Sequence, residues 1–516
     1  MSEERKHLFG STEKSDFIVN MTEKQYQKMG LLYMGLVAVV MILLTIPYYL
    51  SKGAIVIFNN GLLKYADQSS ANASSSSYIS YLQIALFAMG FFGFLVLLVS
   101  VTKKYFKARE NCEFLLIAVF AVFLVVSTLL AYNIKTAFFG RDYRYHGLLT
   151  YLSYIGLFAA ASQSNCRDRR KNFLDLFMII AFINAVYGLL QIVPSFVEKL
   201  PNFFYEMFQP AGDPAFAYER FIADGLVHTP HALAALMTMA FAIGGAGFVH
   251  EENKTRRTLY GIASLVFIAA AVATTTLAGY VGIITVSIVL IIAELIRIAK
   301  GTAPKRAKVF ERAIVRTITI VILGGAVVGI MASFDRVNLY DGHIIYTDAT
   351  ARIGASFPNT DSKGGFAYPE LWHEGVTMLK EDWVFGTGPD CIGNEHYGYA
   401  DLYNSAQELA FSTDRTYNEY LDMALACGIP CLLVYLALGF ITVKKGTRAV
   451  GSFFKREDSW TALALLAAVI GYAVQANVNI SIITVTPYFF LFVGLLWNKP
   501  HDVQDTKSKN RKQIKN

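Results

Sequence analysis

Long apolar runs separated by short polar segments set the pattern of this chain. Most runs approach the roughly 20 residues that a helix needs to cross a bilayer. The stretch 259–297 is too long for one helix, and the small polar run 274–276 followed by Gly279 divides it in two. The pattern therefore predicts about twelve spanning helices. They are expected near residues 31–50, 80–101, 112–132, 147–163, 173–193, 231–249, 259–275, 278–297, 314–333, 421–443, 460–478 and 481–497.

The composition agrees with a membrane protein. The 516 residues are 54% hydrophobic and 16% charged, whereas soluble chains carry about 25% charged residues. A cleavable signal peptide is not expected, because the first apolar run begins near residue 31 after a charged start and no small-residue cleavage site follows it. We therefore predict an all-α integral membrane protein.

The basic residues predict the orientation. Most of the 46 Lys and Arg residues fall in alternate connections and in the two terminal segments. Positively charged loops stay on the cytoplasmic side, so both termini are predicted to be cytoplasmic. This bias explains the net charge of +7 without a nucleic-acid partner. Only Cys391 of the five cysteines falls in a predicted outer loop, so no outer disulfide within the chain is expected.

The spans divide the chain into five segments. Residues 1–30 form a cytoplasmic lead-in, 31–333 hold nine spans, 334–420 form a large extracytoplasmic loop, 421–497 hold three more spans, and 498–516 form a basic cytoplasmic tail. A loop this long is usually functional or disordered. Its aromatic residues and Gly-Pro turns favour an ordered, functional loop.

Within the loop, helical spacing recurs after Pro369. Trp372, Val376, Leu379 and Trp383 follow one another at intervals that predict a short amphipathic helix. Such a helix either lies on the membrane surface or packs against the bundle.

Five arginines on the predicted outer side need an explanation, because positive charge is depleted there. They are Arg141, Arg144, Arg220, Arg352 and Arg415. A guanidinium group binds phosphate or carboxylate through two parallel hydrogen bonds and stays charged in a low-dielectric setting. We favour a site for an anion held at the outer membrane face. The alternative is that these arginines contact lipid headgroups or pair with Asp142, Glu219 and Asp414.

Other polar residues narrow the choice of function. Acidic residues within the spans are scarce, Glu294 being the clearest, which argues against a proton-driven transporter. Helix–helix hydrogen bonding is the favoured role for Gln475, Asn477 and Asn479, with lining a cavity as the alternative. The loop histidines His343, His373 and His396 lack metal-ligand spacing, so no metal site is predicted.

Two loop motifs resemble the O-antigen ligase and polymerase family. The segment 381–390, which ends Gly-Thr-Gly-Pro-Asp, looks like the family's element ending in GPD. The segment 414–421, followed by Cys-Gly-Ile-Pro at 427–430, looks like its HN-x-YL motif. Weaker matches follow the family's order: Gly140 to Gly147, Arg220 with His228 to His231, and Gln475 to Asn479.

The resemblance implies a membrane-embedded, GT-C-like bundle of about twelve spans. It implies transfer of a glycan from a polyprenyl-diphosphate carrier to a surface glycan or another hydroxyl acceptor at the outer face, for surface polysaccharide assembly, without a metal or cofactor. The outer arginines, chiefly Arg352, would stabilise the departing lipid diphosphate. The site would also include Asp390, Tyr417, Asn418 and Glu419.

The chain departs from the family at two positions. Tyr417 stands where the family has a histidine, and tyrosine is a poor base at neutral pH, so Glu419 and His396 are the alternatives for the base. Thr276 to Gly279 replaces a Ser-Arg-Gly element, so one arginine is missing. Either Arg415 or Arg220 compensates, or the substrate differs.

Two other functions are compatible with the sequence. A transporter or flippase of lipid-linked sugars would move the carrier without breaking a glycosidic bond, although it has little need for a long structured loop on one face. A non-catalytic relative would serve as an assembly subunit, and the tyrosine at position 417 is the observation in its favour.

Overall fold

The computed structural model describes residues 23–45, 73–102, 113–141, 145–163, 170–192, 223–227, 229–299, 307–333, 336–340, 343–347, 368–392, 400–403, 409–413, 415–456 and 460–498. Most of these residues are helical. In chain order the helices are α1 Glu23–Thr45, α2 Ala73–Thr102, α3 Phe114–Leu130, α4 Ile134–Phe139, α5 Leu148–Gln163, α6 Arg170–Gln191, α7 Pro230–His250, α8 Lys254–Ala273, α9 Leu277–Ala299, α10 Ala307–Ser333, α11 Tyr368–Leu379, α12 Glu419–Arg456, α13 Thr461–Gln475 and α14 Thr486–Trp497. Short 3₁₀ turns lie at Gly225–Val227 and Ala476–Val478.

Every predicted span overlaps one of these helices. Among the described residues, 8 helices are long and apolar enough to cross a membrane, and they belong to α2, α6 to α10, α12 and α13. The chain is a multi-pass membrane protein. The count of about twelve spans and the GT-C-like arrangement stay predictions.

The predicted break inside 259–297 is confirmed. α8 ends at Ala273 and α9 begins at Leu277. Between them Thr274 donates its hydroxyl to the Ala271 carbonyl at 2.6 Å, and Thr275 adopts a left-handed φ of 53°. This side-chain bond competes with the helical pattern and lets the chain reverse.

Helix α7 forms the centre of the bundle. It packs against α8, α9 and α13, and most of its residues are buried inside the protein. A helix that is apolar on every side belongs in a core. Glycines permit the close approach, since a Cβ on Gly282 of α9 would lie 2.0 Å from the Thr238 hydroxyl oxygen of α7.

Buried polar contacts lie at one end of the bundle, where the predicted cytoplasmic connections meet. Glu294 pairs with His250 at 3.0 Å and with Arg297 at 3.4 Å. Arg170 donates to the Leu495 carbonyl at 2.7 Å. We call this the basic end and the opposite end, which carries the resemblance motifs, the motif end. Their assignment to the two sides of the membrane stays a prediction.

The large loop between α10 and α12 contains a helix and two hairpins. Strand β1, Arg336–Tyr340, pairs antiparallel with β2, His343–Thr347, and β3, Ala400–Tyr403, pairs antiparallel with β4, Leu409–Thr413. The all-helical prediction therefore holds for the bundle, and the loop adds strands that were not predicted. Strands of 4 or 5 residues are too short for a reliable alternating pattern, and their ladders form only when the partner strand is present.

The predicted loop helix is present as α11, but it ends at Leu379. Its Trp372 indole donates to the Thr416 carbonyl at 3.1 Å, which fixes the helix to the start of α12. Val376 and Trp383 remain 49% and 53% exposed. One side of this segment thus packs against the bundle, and the other leaves apolar surface exposed.

Helices α2 and α5 approach closely enough to give a test of the fold. A Cβ on Gly90 would lie 2.4 Å from the Ser153 Cα, whereas a Cβ on Gly325 of α10 would meet no atom within 4 Å. We expect Gly90→Leu to destabilise the protein by on the order of 3 kcal/mol through overpacking, and Gly325→Leu to have little effect. Thermal unfolding in detergent micelles measures both, and equal shifts would contradict the described packing.

Candidate active site

The site is built on a break in helix α12. Pro430 lacks an N–H group and so leaves the Ala426 carbonyl without its helical donor. The Ile429 N–H donates instead to the Trp383 carbonyl at 2.8 Å, which leaves the Leu425 carbonyl open as well. The break therefore presents unused acceptors to the loop beside it.

The loop 383–391 supplies the missing donors. Thr387 N–H donates to the Leu425 carbonyl and Gly388 N–H to the Ala426 carbonyl, each at 2.9 Å. The Ser127 hydroxyl of α3 also donates to the Ala426 carbonyl, at 2.7 Å. Buried backbone groups rarely stay unpaired, so the break in α12 and the Gly-Thr-Gly segment require each other.

Glycine is needed at two positions of this junction. Gly388 has a φ of 104° and Gly428 a φ of 84°, values that favour glycine strongly. A Cβ on Gly428 would also lie 2.0 Å from the Val384 carbonyl oxygen. Glycine at these positions therefore allows the backbones of the two loop motifs to lie in close contact.

At the end of this loop, Cys391 packs against the segment between α3 and α4. It is buried with Ala131 and Ala137, and burial raises the pKa of its thiol to about 12. The thiol is therefore protonated near neutral pH and acts as a packing group. Cys391, Cys427 and Cys431 are free thiols.

Asp390 joins three of the resemblance motifs. Its Oδ2 accepts hydrogen bonds from two backbone N–H groups, that of Arg141 at 2.7 Å and that of His146 at 3.2 Å. Its Oδ1 accepts a hydrogen bond from the Arg415 guanidinium at 3.0 Å. The Asp390 side chain is fully buried and the Arg415 side chain only 10% exposed. This buried ion pair fixes the position of the guanidinium.

Asp422 and Asn418 organise the start of α12. Asp422 Oδ1 accepts from the Thr416 N–H at 2.9 Å and from its hydroxyl at 2.8 Å, and Asp422 Oδ2 lies 3.7 Å from the Arg415 guanidinium. Asn418 Oδ1 accepts from the Tyr420 and Leu421 N–H groups at 3.1 and 3.2 Å. Asn418 is therefore a helix cap, and its amide oxygen serves the fold.

Glu419 is a buried carboxylate held by tyrosines. The Tyr435 hydroxyl donates to its Oε1 at 3.1 Å, and the Tyr472 hydroxyl to its Oε2 at 3.2 Å. Tyr472 also exchanges a hydrogen bond with Thr486 at 3.0 Å. Neutral hydroxyl donors thus hold the Glu419 carboxyl group in place.

These groups line one cavity at the motif end. Asp390, Arg415, Glu419 and Asp422 share its wall with His146, Tyr151 and Ser481. The last three were not predicted as site residues. His146 lies inside the quoted 140–147 motif, so its imidazole was a visible signal, whereas Ser481 follows a late polar run and nothing in its local sequence sets it apart.

His146 is packed tightly in this wall. Its ring lies 4.6 Å from the Tyr151 ring, its Nε2 lies 3.2 Å from the Tyr154 hydroxyl, and the same nitrogen lies 3.4 Å from the Ser481 hydroxyl. The residue is 2% exposed. A neutral imidazole offers one donor and one acceptor to such hydroxyls.

Tyr417 lies beside a histidine from another helix. Its ring centroid is 5.0 Å from that of His231, at the start of α7. The His231 carbonyl accepts a 3.1 Å hydrogen bond from Asn479, which also bonds Gln475. Asn479 thus makes the favoured contact with another helix, next to the site, whereas the described bonds of Gln475 and Asn477 stay within their own segment.

Backbone strain is concentrated around the cavity. The described non-glycine residues with positive φ are Tyr145, Thr275, Asp390 and Tyr417, with values of 50° to 58°. Asp390 lines the cavity, while Tyr145 and Tyr417 lie one and two residues from His146 and Arg415. Such conformations cost about 1–3 kcal/mol each and are typical of functional sites.

The structure brings together Asp390, Arg415 and Glu419 and places Arg141, Tyr417 and Asn418 beside them. The predicted residues Arg144, Arg220, Arg352 and His396 lie outside the described residues. Among the described residues, no group of three or more His, Cys, Asp and Glu side chains is arranged to hold a metal ion.

Comparison with known families gives one match. Residues 262–436 match the family model described as O-antigen ligase. This segment of the chain is therefore similar to the O-antigen ligase family. No curated protein matches the chain. The family resemblance read from the two loop motifs is confirmed, and it supports a membrane function of the ligase or polymerase type in glycan assembly.

The matched segment does not complete the cavity alone. It spans α8 to α12 and includes Asp390, Arg415 and Glu419. Arg141 and His146 precede it and Ser481 follows it. The cavity therefore combines residues from inside the match with residues from segments on both sides of it.

The Asp390–Arg415 pair gives a test of the site. Removing one partner of a buried pair leaves an uncompensated charge and costs on the order of 3–5 kcal/mol. We expect Asp390→Asn and Arg415→Gln each to lower stability by that amount, and the double variant to lose clearly less than the sum. Thermal unfolding in detergent gives the three values, and additive losses would show that the pair is not coupled.

Proposed function

We propose that this protein transfers a glycan from a polyprenyl-diphosphate carrier to a hydroxyl acceptor at the outer membrane face, for assembly of a cell-surface polysaccharide. The supporting observation is that Asp390, Arg415 and Glu419, all within the matched segment, line one cavity at the motif end. Cation and carboxylate on one wall provide an anion contact and a proton acceptor side by side.

The arginines act on the donor. As the bond between the sugar carbon and the phosphate oxygen breaks, negative charge grows on the lipid diphosphate. Fixed guanidinium groups stabilise that charge more in the transition state than in the bound substrate. Arg141, Arg144, Arg220, Arg352 and Arg415 are the groups we assign to the diphosphate. Arg415 is oriented by its bond to Asp390.

The acceptor reacts beside Glu419. Its hydroxyl oxygen bonds to the sugar carbon while its proton passes to the carboxylate, and the lipid diphosphate leaves with the electrons of the broken bond. General-base help of this kind contributes about 10²–10⁴-fold. Tyr417 orients the acceptor by hydrogen bonding, and Asn418 holds the helix that carries Glu419. His396 is the alternative base, and no metal ion takes part in this scheme.

Turnover of a carrier-linked glycan tests this function. Donor lipid extracted from a strain lacking the protein, mixed with its envelope fraction as acceptor, should lose its glycan to the acceptor when purified protein is added. We expect Arg352→Ala and Glu419→Gln each to lower the rate at least about 100-fold, with Lys254→Gln at the basic end as the matched control.

Contrary outcomes separate the alternatives. Unchanged turnover in Arg352→Ala would remove the proposed mechanism. Intact carrier recovered across a vesicle membrane, with its glycosidic bond unbroken, would indicate a transporter or flippase. A protein that neither transfers nor moves the carrier would be a non-catalytic relative, as tyrosine at position 417 allows.

The orientation is tested separately. His373 in α11 and Lys254 at the basic end are both exposed. If the loop is extracytoplasmic, a membrane-impermeant maleimide added to intact cells labels His373→Cys and leaves Lys254→Cys at the level of the native chain. Permeabilised cells should label both variants. The reverse pattern in intact cells would invert the topology.

A further inference from the structure

Apolar side chains are exposed on the segment that leads into the site. Val376 lies on α11, Trp383 and Phe385 lie on the loop that follows it, and all three are exposed. Lys380 and Glu381, between them along the chain, are exposed as well. A segment with both kinds of side chain is suited to a boundary between apolar and polar surroundings.

The loop that carries Trp383 is fixed to the ends of two apolar helices. The Trp383 carbonyl accepts the Ile429 N–H of α12 at 2.8 Å. Further along the loop, a Cβ on Gly388 would lie 2.4 Å from the Cβ of Ala131, the residue that directly follows α3. The loop therefore contacts α12 at its break and α3 at its end.

The other ends of the same two stretches of helix also meet. Glu113, directly before α3, pairs with Lys445 of α12 at 3.4 Å. At roughly 1.5 Å per residue, Glu113 to Ala131 spans about 27 Å and Ile429 to Lys445 about 24 Å. The hydrocarbon core of a bilayer is about 30 Å thick. The loop and the Glu113–Lys445 pair are thus separated by nearly one hydrocarbon thickness.

The surface of α12 between these two levels is suited to lipid chains. Residues 429–443 include no charged residue. Leu433, Leu436 and Phe440 are exposed, and their spacing places them on one face of the helix. This face begins one helical turn beyond Ile429, to which the Trp383 backbone is bonded. Trp383 therefore lies at the level where the lipid-facing surface of α12 ends.

We propose that the loop around Trp383 is inserted into the headgroup region of the bilayer at the motif end, where Trp383 and Phe385 contact phospholipid. Tryptophan and tyrosine favour this region because their rings are largely apolar and can still hydrogen-bond. Tyr132 and Ile134, just beyond the end of α3, are exposed at the same level. The exposed Lys135 beside them can extend its ammonium group to the lipid phosphates.

The lipid contact has a consequence for the site. Phe385 is followed in the same loop by Gly388, whose N–H donates to the Ala426 carbonyl, and by Asp390, which bonds Arg415. Phospholipid at the start of the loop therefore fixes the level of the Asp390–Arg415 pair relative to the membrane surface.

Fluorescence quenching by brominated lipid tests the contact. The chain has 4 tryptophans. Trp383 is exposed, Trp460 and Trp497 are buried, and the Trp372 indole donates to the Thr416 carbonyl. The full-length protein is reconstituted into phosphatidylcholine vesicles that carry bromine either near the headgroup end or near the methyl end of the acyl chains. We expect bromine near the headgroup to quench the native protein more strongly than bromine near the methyl end.

Two conservative variants assign the quenched signal. Trp383→Phe should lose most of the quenching by lipid brominated near the headgroup, because the remaining indoles lie away from lipid. Trp372→Phe is the matched control on the same segment and should keep most of it. Both changes replace one aromatic side chain by another, and circular dichroism of the reconstituted protein checks that the fold is retained.

Four results would overturn the inference. Quenching that is unchanged in Trp383→Phe would show that another indole contacts the lipid. A Trp383 signal quenched by iodide on both sides of the membrane, and not by brominated lipid, would place the indole in water. Stronger quenching by bromine near the methyl end would place it in the hydrocarbon core. Insensitivity to both quenchers would mean that protein covers Trp383, either more of this chain or a second copy. These results do not depend on glycan transfer, so each would leave the proposed function intact.

Discussion

The structure of the site depends on two carbonyl groups in α12 that lack their usual helical donors. Gly428 turns the helix out of its regular path, Pro430 removes a donor, and the freed Leu425 and Ala426 carbonyls need new partners inside an apolar bundle. Leaving such groups unpaired in a membrane is costly. The Gly-Thr-Gly loop satisfies them, and by doing so it brings the next residues, Pro389 and Asp390, to the start of α12.

Asp390 then determines where the charged groups lie. A buried carboxylate requires partners, and Asp390 takes them from two separate parts of the chain, the backbone N–H groups of Arg141 and His146 and the guanidinium of Arg415. Part of the Arg415 charge is already compensated by Asp390 and Asp422, so its contribution to diphosphate binding depends on the cations that accompany it.

The surrounding bundle keeps this site in place through close packing of small residues. Gly90 and Gly156 bring α2 and α5 into backbone contact, and Gly282 of α9 makes room for the Thr238 side chain of α7. In a bilayer, helices associate through such contacts and through hydrogen bonds such as that from Asn479 to the His231 carbonyl. The site is therefore supported by helices from both halves of the chain, although the family match covers only residues 262–436.

The sequence alone determined the multi-pass class, the positions of the helices, the break between α8 and α9 and the family, because these follow from local hydrophobic periodicity and from short contiguous motifs. It also indicated Asp390, Arg415 and Glu419, since each stands in a recognisable motif. Only the tertiary structure showed that Arg415 is paired with Asp390, that Asn418 caps α12, and that His146, Tyr151 and Ser481 share the cavity. His146 and Ser481 are 335 residues apart, and no local pattern predicts a contact that forms only when distant helices pack together. The hairpins of the loop were missed for the same reason, because each strand is defined by a partner strand whose pairing the local sequence does not reveal.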